Sequence, residues 1–438
     1  MSPCTDHDGT RMGAGRISGL SERNAAVRRK RGRGTMNQTG KNSIYSQKCT
    51  NRAWIELNMA NLKKNILSIQ KLLPPGCEIM AVLKDNAYGH GDTAIAAACS
   101  AFGIRSFAAA TLSEGIRLRE SGVTGEILIL GFTPPEDAHE LYCYRLTQTV
   151  VDADYAKELD AYGLEIPVHV KIDTGMHRIG EDYRNLSKLI EIYSLKHLKV
   201  TGTYTHLCTS DCLDEACQIY AGTQIDHFYQ AVDGIRRAGF RTGRIHIQSS
   251  YGILNYPSLK CDYVRAGILL YGAHTVGNPT RRTMELAPVL SLRSRIVSLK
   301  TLAPGESAGY GCTYTAPDTG AVLATATIGY GDGLPRNLSC GQGFALVRGV
   351  RVPIVSRICM DSLTLDVSAV PQAAAGDIAT FIGKDGPDEI TALELSTAAC
   401  TIAPELLGRL GPRLERIILS ADSPTLCGCR TCLLPARP

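Results

Sequence analysis

Residues 79–91, IMAVLKDNAYGHG, begin the alternating pattern from which the fold of the first part of this chain is predicted. The apolar beginning of this stretch predicts a buried parallel strand that ends at Lys84. Seven more short apolar or β-branched runs follow before residue 286, and amphipathic segments typical of helices separate them. The eight predicted strands are residues 79–83, 106–110, 126–130, 149–151, 169–172, 201–205, 245–248 and 262–264.

Regular alternation of strand and helix predicts an α/β fold, a (β/α)8 TIM-type barrel over residues 51–285. A doubly wound parallel sheet is the alternative that shares this alternation. From residue 286 the composition changes, and predicted strands follow one another with little helix between them, at residues 288–302, 321–328, 344–347, 351–355, 363–367 and 377–382. We therefore expect a C-terminal, mainly-β domain over residues 286–420, with short helices near 391–395 and 404–410.

The ends of the chain differ from its body in charge and composition. Residues 1–50 hold ten Lys and Arg against three Asp and Glu, a balance of +7 within a net charge of +5, so the rest carries −2. A near-neutral body argues against nucleic acid as a partner. We predict disordered tails at residues 1–50 and 421–438. We expect Met36, just after the basic run, to be an alternative start of translation. Cys427, Cys429 and Cys432 are expected to hold no metal, because zinc prefers four ligands.

No apolar run reaches the roughly 18 residues that a membrane-spanning helix needs. The first residues also lack the pattern of a secretory signal, so we expect a cytoplasmic protein that does not use a membrane. In a reducing compartment the sixteen cysteines are expected to be free thiols rather than disulfides. Several of them, such as Cys99 and Cys400, lie in segments whose composition resembles a core.

Barrel active sites form at the C-terminal ends of the strands, where several polar residues of this chain are placed. Lys84 ends the first predicted strand, and burial there should lower its pKa and leave the neutral amine that attacks a carbonyl. Loops after the seventh and eighth strands commonly bind phosphate, a role that fits Ser250 and the backbone of Gly267 and Ile268. The other polar residues at strand ends are Lys171, Arg178, His206 and Arg265.

Each of these residues alone has an ordinary structural interpretation, as a solvated lysine, a core histidine or an arginine in an ion pair. Their predicted convergence on one face of a barrel favours a shared chemical role. A lysine suited to forming an imine, next to a phosphate pocket, indicates pyridoxal phosphate as the cofactor.

Seven motifs, in one order across residues 52–418, resemble those of the alanine racemase family. They are AVLKDNAYGHG (81–91), KIDTGMHRIG (171–180), YTH (204–206), VRAGI (264–268), GYG (309–311), IGYGDG (328–333) and RICMD (357–361). The resemblance implies a pyridoxal 5′-phosphate enzyme that interconverts L-alanine and D-alanine for peptidoglycan precursors.

The resemblance also implies roles for individual residues. Lys84 and Tyr310 would be the two catalytic bases, because racemisation removes a proton from one face of the substrate and returns it to the other. Arg265 would face the pyridine nitrogen, and His206 would link it to Tyr310. The other implied roles are phosphate binding by Tyr88, Ser250, Gly267 and Ile268, substrate binding by Arg178 and Met360, and carbamylation, as in some relatives, of Lys171. No metal ligand is implied.

Tyr310 and Met360 fall in the predicted β domain rather than in the barrel. In the family this domain of one subunit covers the barrel mouth of another, so the resemblance implies a homodimer with shared sites. Tyr330 and Asp361, in the same domain, resemble residues on the approach to the site.

One departure from the family pattern concerns substrate preference. Many members carry a Tyr directly after CTIS, whereas here CTIA at residues 400–403 precedes Pro404, which has no hydroxyl. Racemisation of serine, or of several small amino acids, is therefore the alternative to alanine.

A basic amino-acid decarboxylase and a non-catalytic pyridoxal-phosphate carrier are more distant alternatives. The motif around Tyr310 argues against the decarboxylase, and the second domain argues against the carrier.

Overall fold

The computed structural model describes residues 51–419 of the 438-residue chain. The predicted tails at 1–50 and 421–438 lie outside the described residues. So do Met36 and the three cysteines Cys427, Cys429 and Cys432.

Eight parallel strands form a nearly closed barrel, as the sequence predicts. They are Glu78–Val82, Ser106–Ala109, Glu126–Ile129, Thr147–Val150, Ile166–Asp173, Leu198–Tyr204, Arg244–His246 and Tyr263–Ala266. Each pairs with its neighbour in chain order, except that the seventh and eighth share only isolated bonds, and the eighth pairs with the first. The amide of Asp262 donates to the carbonyl of Ile245 at 2.8 Å and helps to bridge that last gap. Pairing of the eighth strand with the first excludes a doubly wound sheet.

Helices alternate with the barrel strands, as the sequence predicts, and the first of them precedes the first barrel strand. They are Met59–Leu72, Asp92–Ala101, Leu112–Glu120, Ala138–Cys143, Ala153–Asp160, Leu186–Ser194, Glu215–Arg237 and Ser250–Asn255. Leu112–Glu120 begins with a capping box, in which the Thr111 side chain and the Glu114 carboxylate bond each other's backbone amides. Glu114 is therefore held rigidly at the end of the barrel strand Ser106–Ala109.

The C-terminal domain is built on the long strand Leu290–Leu302, which pairs antiparallel with Ala321–Ala326 and Ile378–Asp385. It also pairs with Ala53–Asn58, which in turn runs parallel to Glu415–Leu419. Ala53–Asn58 thus belongs to this sheet, although it lies within residues 51–285, the segment assigned to the barrel. The predicted strands do not include it. A single strand ahead of the barrel gives no local indication of its partner, because both partners lie more than 230 residues away.

The other strands of this domain are Ser307–Ala308, Tyr314–Thr315, Phe344–Val347, Val350–Pro353, Leu363–Asp366 and Asp388–Ile390. Two short helices, Ala392–Ala398 and Ala403–Gly408, lie where the sequence predicts them. The second helix packs against the loop after Lys84, since a Cβ at Gly89 would lie 2.0 Å from the carbonyl oxygen of Leu407. The C-terminal domain therefore touches the barrel next to the predicted cofactor lysine.

Two small apolar clusters are separate, but most buried apolar side chains of the barrel and of the β domain form one contiguous core. Cys99 is buried in it, but Cys400 is exposed in the turn after Ala392–Ala398, so its predicted core position is wrong. Every cysteine within residues 51–419 is a free thiol. In that part of the chain no helix combines the length and the apolar composition needed to cross a membrane.

Candidate active site

Lys84 stands directly after the first barrel strand, where the backbone makes an unusual turn. Residues 85–88 all have left-handed φ angles between 51° and 56°, a conformation that costs about 1–2 kcal/mol for each non-glycine residue. The carboxylate of Glu114 accepts the amide of Asp85 at 2.7 Å, and Asn86 Oδ1 accepts the amide of Asp92 at 3.0 Å. Strain of this kind persists only where the surroundings dictate it, and it concentrates at functional sites.

The electrostatic setting of Lys84 favours a reactive amine. Burial lowers the pKa of Lys84, and the nearby charge of Arg178 lowers it further. The carboxylates of Glu114 and Asp85 oppose this shift without reversing it. More of the side chain is therefore neutral, and so nucleophilic, than in an exposed lysine.

A second lysine, Lys171, lies in the interior of the barrel. It is 2% exposed, and within residues 51–419 its Nζ has no hydrogen-bond partner. Burial and the charge of Arg265 lower its pKa to about 7. Its ammonium faces the ring of Tyr204, 5.3 Å from the ring centre. Arg178 is exposed at the same mouth, close enough to lower the pKa of both lysines.

Arg265, on the eighth strand, is 4% exposed, and its guanidinium contacts several acceptors. Its guanidinium donates to Nδ1 of His246 at 2.8 Å and to the carbonyl of Thr205 at 2.8 Å, and lies 3.2 Å from Nδ1 of His206. Burial lowers the pKa of Arg265 to about 10, so it stays charged at neutral pH. Burial and the Arg265 charge hold the pKa of His206 well below its ordinary value, which leaves a neutral imidazole.

A cradle of hydroxyl and amide groups lies at the ends of the seventh and eighth strands. Oγ of Ser250 accepts the amides of Gly267 at 3.1 Å and Leu269 at 3.4 Å. The amide of Ile268 donates to no acceptor within residues 51–419. A Cβ at Gly267 would lie 2.8 Å from the hydroxyl of Tyr88, so only glycine leaves this space open. Burial raises the pKa of Tyr88 to about 12, which keeps its phenol protonated.

The structure thus gathers Lys84, Lys171, Arg178, His206 and Arg265, here called the mouth cluster, at one end of the barrel. These five residues were predicted from strand ends. Direct contacts and shared electrostatic effects now connect them.

Tyr310 and Met360 form part of a different surface, together with Tyr330. Their exposed fractions are 66%, 52% and 42%, unusually high for large apolar side chains. Backbone bonds hold two of them together, because the amides of Tyr330 and Gly331 donate to the carbonyls of Cys359 and Met360 at 3.1 and 2.9 Å. Within residues 51–419 no hydrogen bond, ion pair or ring contact joins this patch to the mouth cluster. Among the described residues, Tyr310 therefore makes no contact of these kinds with Lys84 of its own chain.

Two family models match the chain in the order of its two domains. The model described as alanine racemase, N-terminal domain, matches residues 57–275, and the model for the C-terminal domain matches residues 289–418. This chain belongs to the alanine racemase family. The solved alanine racemase of Clostridium difficile 630 has a TM-score of 0.79 at 31% identity, over 86% of this chain and 98% of that one.

Two curated relatives from enterococci show a closer sequence match. The amino-acid racemase of Enterococcus faecalis is 41% identical over 84% of this chain and 52% of its own length. The serine/alanine racemase of Enterococcus gallinarum is 38% identical over 83% of this chain and 51% of its own length. The present chain thus spans about half the length of these two relatives.

Several residues at this racemase-family site were not singled out from the sequence. His246 contacts Arg265 directly, Glu114 supports the Lys84 loop, and His169 lies next to His246 in the barrel interior. His169 and His246 lie within predicted barrel strands, so a polar residue at an inward-facing strand position was the available signal. Glu114 gave no such signal, because a capping box accounts for it fully.

One group of residues in the described part of the chain has the spacing of metal ligands. The ligand atoms of Cys212, Asp214 and Cys217 lie within 4.8 Å of one another. Two thiols and one carboxylate fall short of the four ligands of a structural zinc site. The prediction of a metal-free protein stays a prediction.

Proposed function

We propose that this protein is a pyridoxal-phosphate-dependent racemase that interconverts L-alanine and D-alanine by a two-base mechanism, to supply peptidoglycan precursors. The observation that carries the proposal is the mouth cluster, in which a lysine with a lowered pKa shares one end of the barrel with a buried arginine that stays charged at neutral pH. Membership in the alanine racemase family supports the same reaction.

The residues present fit pyridoxal phosphate. Lys84 would hold the cofactor covalently, the hydroxyl and amide cradle around Ser250 and Ile268 would bind its phosphate, and Arg265 would face its ring nitrogen. When bound, pyridoxal phosphate supplies an electron-withdrawing ring that makes the α-proton of an attached amino acid acidic. The Ile268 amide, which donates to no acceptor within residues 51–419, fits a phosphate oxygen, and the amine of Lys84, whose pKa is lowered, fits a carbonyl carbon.

Proton removal and return need two groups on opposite faces of the substrate. Lys84 supplies one from the barrel, and Arg178 at the same mouth would bind the substrate carboxylate. Tyr310 is the second base in this proposal, but it is exposed in its own chain. We therefore infer a homodimer in which Tyr310 and Met360 of a second copy close the barrel mouth of the first.

Carbamylation of Lys171 forms part of the same proposal. An amine must be neutral to react with carbon dioxide, and a pKa of about 7 leaves much of Lys171 neutral. The resulting carbamate would give Arg178 an anionic partner and so fix the position of its guanidinium. The cytoplasmic location stays a prediction.

The test is exchange of the α-proton of L-alanine in deuterium oxide, followed by NMR and by loss of optical rotation. Holoenzyme loaded with pyridoxal phosphate should exchange and racemise alanine, and Tyr310→Phe should slow this by about 10²–10⁴-fold, the usual contribution of a catalytic base. Tyr314→Phe is the matched control, because its hydroxyl bonds Asp366 at 3.0 Å within the same domain. No exchange by the wild type would overturn the proposal.

Serine is a second candidate substrate, and the neighbourhood of Pro404 is the observation that favours it. The helix Ala403–Gly408 packs on the Lys84 loop, since a Cβ at Gly408 would lie 2.0 Å from Oδ2 of Asp85. Pro404 lies about one turn before Gly408 on this helix and offers no hydroxyl to the proposed substrate pocket. The match to a relative named serine/alanine racemase supports the same candidate.

We expect Pro404→Tyr to raise the ratio of kcat/KM for alanine to kcat/KM for serine by about tenfold, the discrimination that one filled space in a pocket provides. Pro404→Ala, which removes the ring of proline without adding a hydroxyl, is the control and should leave the ratio near its wild-type value. An unchanged ratio in Pro404→Tyr would mean that this position does not select the substrate.

A further inference from the structure

Arg265 is a buried cation whose contacts do not include a carboxylate. Within residues 51–419 its guanidinium donates only to imidazoles and to the carbonyls of Thr205, His246 and Ile247. A buried charge is normally paired, because the interior screens it poorly. The compensation for Arg265 must therefore arrive through an intermediate group.

Two histidines supply a route from Arg265 to a carboxylate at the other end of the barrel. Nδ1 of His246 lies 2.8 Å from the guanidinium, and its Nε2 lies 2.9 Å from Nδ1 of His169. Nε2 of His169 lies 3.0 Å from Oε1 of Glu126. Both histidines are 0% exposed, whereas Glu126 begins its strand and is 22% exposed. His246 and His169, here called the His bridge, thus connect Arg265 to Glu126 across the barrel interior.

The donors of Arg265 at one end and the acceptor Glu126 at the other favour the same direction for every bond in the His bridge. Arginine has only donors, so Nδ1 of His246 must accept and its proton must sit on Nε2. Nε2 of His246 then donates to Nδ1 of His169, and the proton of His169 must sit on Nε2, facing Glu126. This last N–H is not aimed straight at the carboxylate oxygen, so that contact is mainly electrostatic.

Packing leaves the two imidazoles little freedom to adopt another arrangement. A Cβ at Gly202 would lie 2.5 Å from Nε2 of His169, so the ring occupies the space that only glycine leaves. Tyr204 stacks on His246 with ring centres 4.6 Å apart and planes 6° apart. The hydroxyl of Tyr204 is in turn fixed by Thr149 Oγ1 at 2.9 Å.

The groups around Glu126 keep it charged. Burial alone would raise the pKa of Glu126, but the contact with His169, the hydroxyl of Tyr263 and the charge of Arg244 together lower it. Burial and the Arg265 charge hold the pKa of His246 well below its ordinary value, which keeps this imidazole neutral. The two imidazoles of the His bridge therefore connect a cation at one end to an anion at the other.

We propose that Glu126 is a positioning residue for Arg265, acting through His169 and His246 to fix both the tautomers of the bridge and the orientation of the guanidinium. Its importance for catalysis rests on the proposed function, in which Arg265 faces the cofactor ring. The bridge itself is a property of the protein alone and can be tested without cofactor.

The first test is the tautomer of each histidine, read from nitrogen–proton NMR correlations of protein labelled at its ten histidines and assigned with His→Gln variants. In the wild type, His169 and His246 should both carry the proton on Nε2. In Glu126→Leu the two histidines should no longer both carry the proton on Nε2. Glu126→Gln, which keeps an acceptor oxygen, should largely preserve the protons on Nε2. Unchanged histidine signals in Glu126→Leu would overturn the bridge.

Glu78→Leu is the matched control. Glu78 also begins a barrel strand and lies 3.6 Å from Arg244, but within residues 51–419 it contacts neither histidine. Its replacement removes a carboxylate from the same end of the barrel and should leave both tautomers unchanged. Histidine shifts of equal size in Glu78→Leu and Glu126→Leu would contradict a specific path through Glu126.

The second test links the bridge to the reaction of the holoenzyme. Glu126→Leu should lower kcat for L-alanine by about tenfold, the usual effect of removing a carboxylate that orients a functional histidine, with KM changed less than about twofold. The fraction of turnovers ending in transamination should rise, and Glu126→Gln should recover part of the loss. Altered tautomers with unaltered kcat and product ratio would show that the bridge does not position Arg265 for catalysis. If the wild type had no racemase activity, only the proposed function would be refuted. The histidine tautomers would still test the His bridge, because they are measured without the reaction.

Discussion

The mouth cluster and the patch of Tyr310, Tyr330 and Met360 present opposite kinds of surface. In the barrel, Arg265 is 4% exposed and bonded to two histidines, and Lys171 is 2% exposed. In the β domain, Tyr310 is 66% exposed, and its hydroxyl makes no hydrogen bond within residues 51–419. The barrel site is organised before any partner arrives, whereas the patch has the exposure of a surface that another molecule covers.

The largest expected effects come from two variants, one in each region, that separate cofactor binding from proton exchange. Lys84→Ala should lose the visible absorption of lysine-bound pyridoxal phosphate and at least about 10⁴-fold in exchange of the α-proton. Tyr310→Phe should keep that absorption and lose only the exchange. Absorption spectra recorded beside the NMR assay check both. Loss of cofactor in Tyr310→Phe would mean that the two regions are not functionally distinct.

A smaller effect is expected where glycine opens the phosphate cradle. Gly267→Ala would place a Cβ 2.8 Å from the hydroxyl of Tyr88, and overpacking of this kind should weaken cofactor affinity by about tenfold. Gly277→Ala is the control, because the nearest atom to its Cβ would be 4.0 Å away. Fluorescence titration of the apoprotein with pyridoxal phosphate measures both. Equal cofactor affinities in Gly267→Ala and Gly277→Ala would mean that the cradle is not part of the cofactor site.

The mildest expected effect concerns Lys171. Its pKa of about 7 means that the neutral amine, and with it the carbamate, should increase between about pH 6 and pH 8. Labelled carbon dioxide should give a carbonyl NMR signal that grows over this range and is absent from Lys171→Ala. We expect that variant to raise KM for alanine a few-fold, since Arg178 would lose its partner. A signal that persists in Lys171→Ala would place the modification elsewhere.

Much of the barrel could be predicted from the sequence because its information is local. Alternating strands and helices leave a repeating pattern, and the rule that sites form at strand ends led to Lys84, Arg178 and Arg265 without any contact being known. The strand Ala53–Asn58 could not be placed in the same way. Its hydrogen-bond partners, at residues 290–294 and 415–419, lie far along the chain and leave no trace near residue 53.

Within the site, the sequence indicated residue types but not their connections. His169 and His246 looked like strand residues, and only their ring distances show that they join Arg265 to Glu126. The left-handed turn over residues 85–88 was also hidden, because four consecutive non-glycine residues rarely adopt that conformation. Tyr310 was found only through the family resemblance, since its own chain gives it no partner at the site.

The central claim, that one chain supplies Lys84 and another supplies Tyr310, is tested most directly by mixing two inactive variants. Lys84→Ala and Tyr310→Phe are unfolded together, refolded as a mixture, and assayed for alanine racemisation. Half of the randomly formed dimers would be mixed, and each mixed dimer would hold one intact site, so roughly one quarter of wild-type activity should return. If both residues act within one chain, every site in the mixture lacks one of them, and activity would stay at the level of the separate variants.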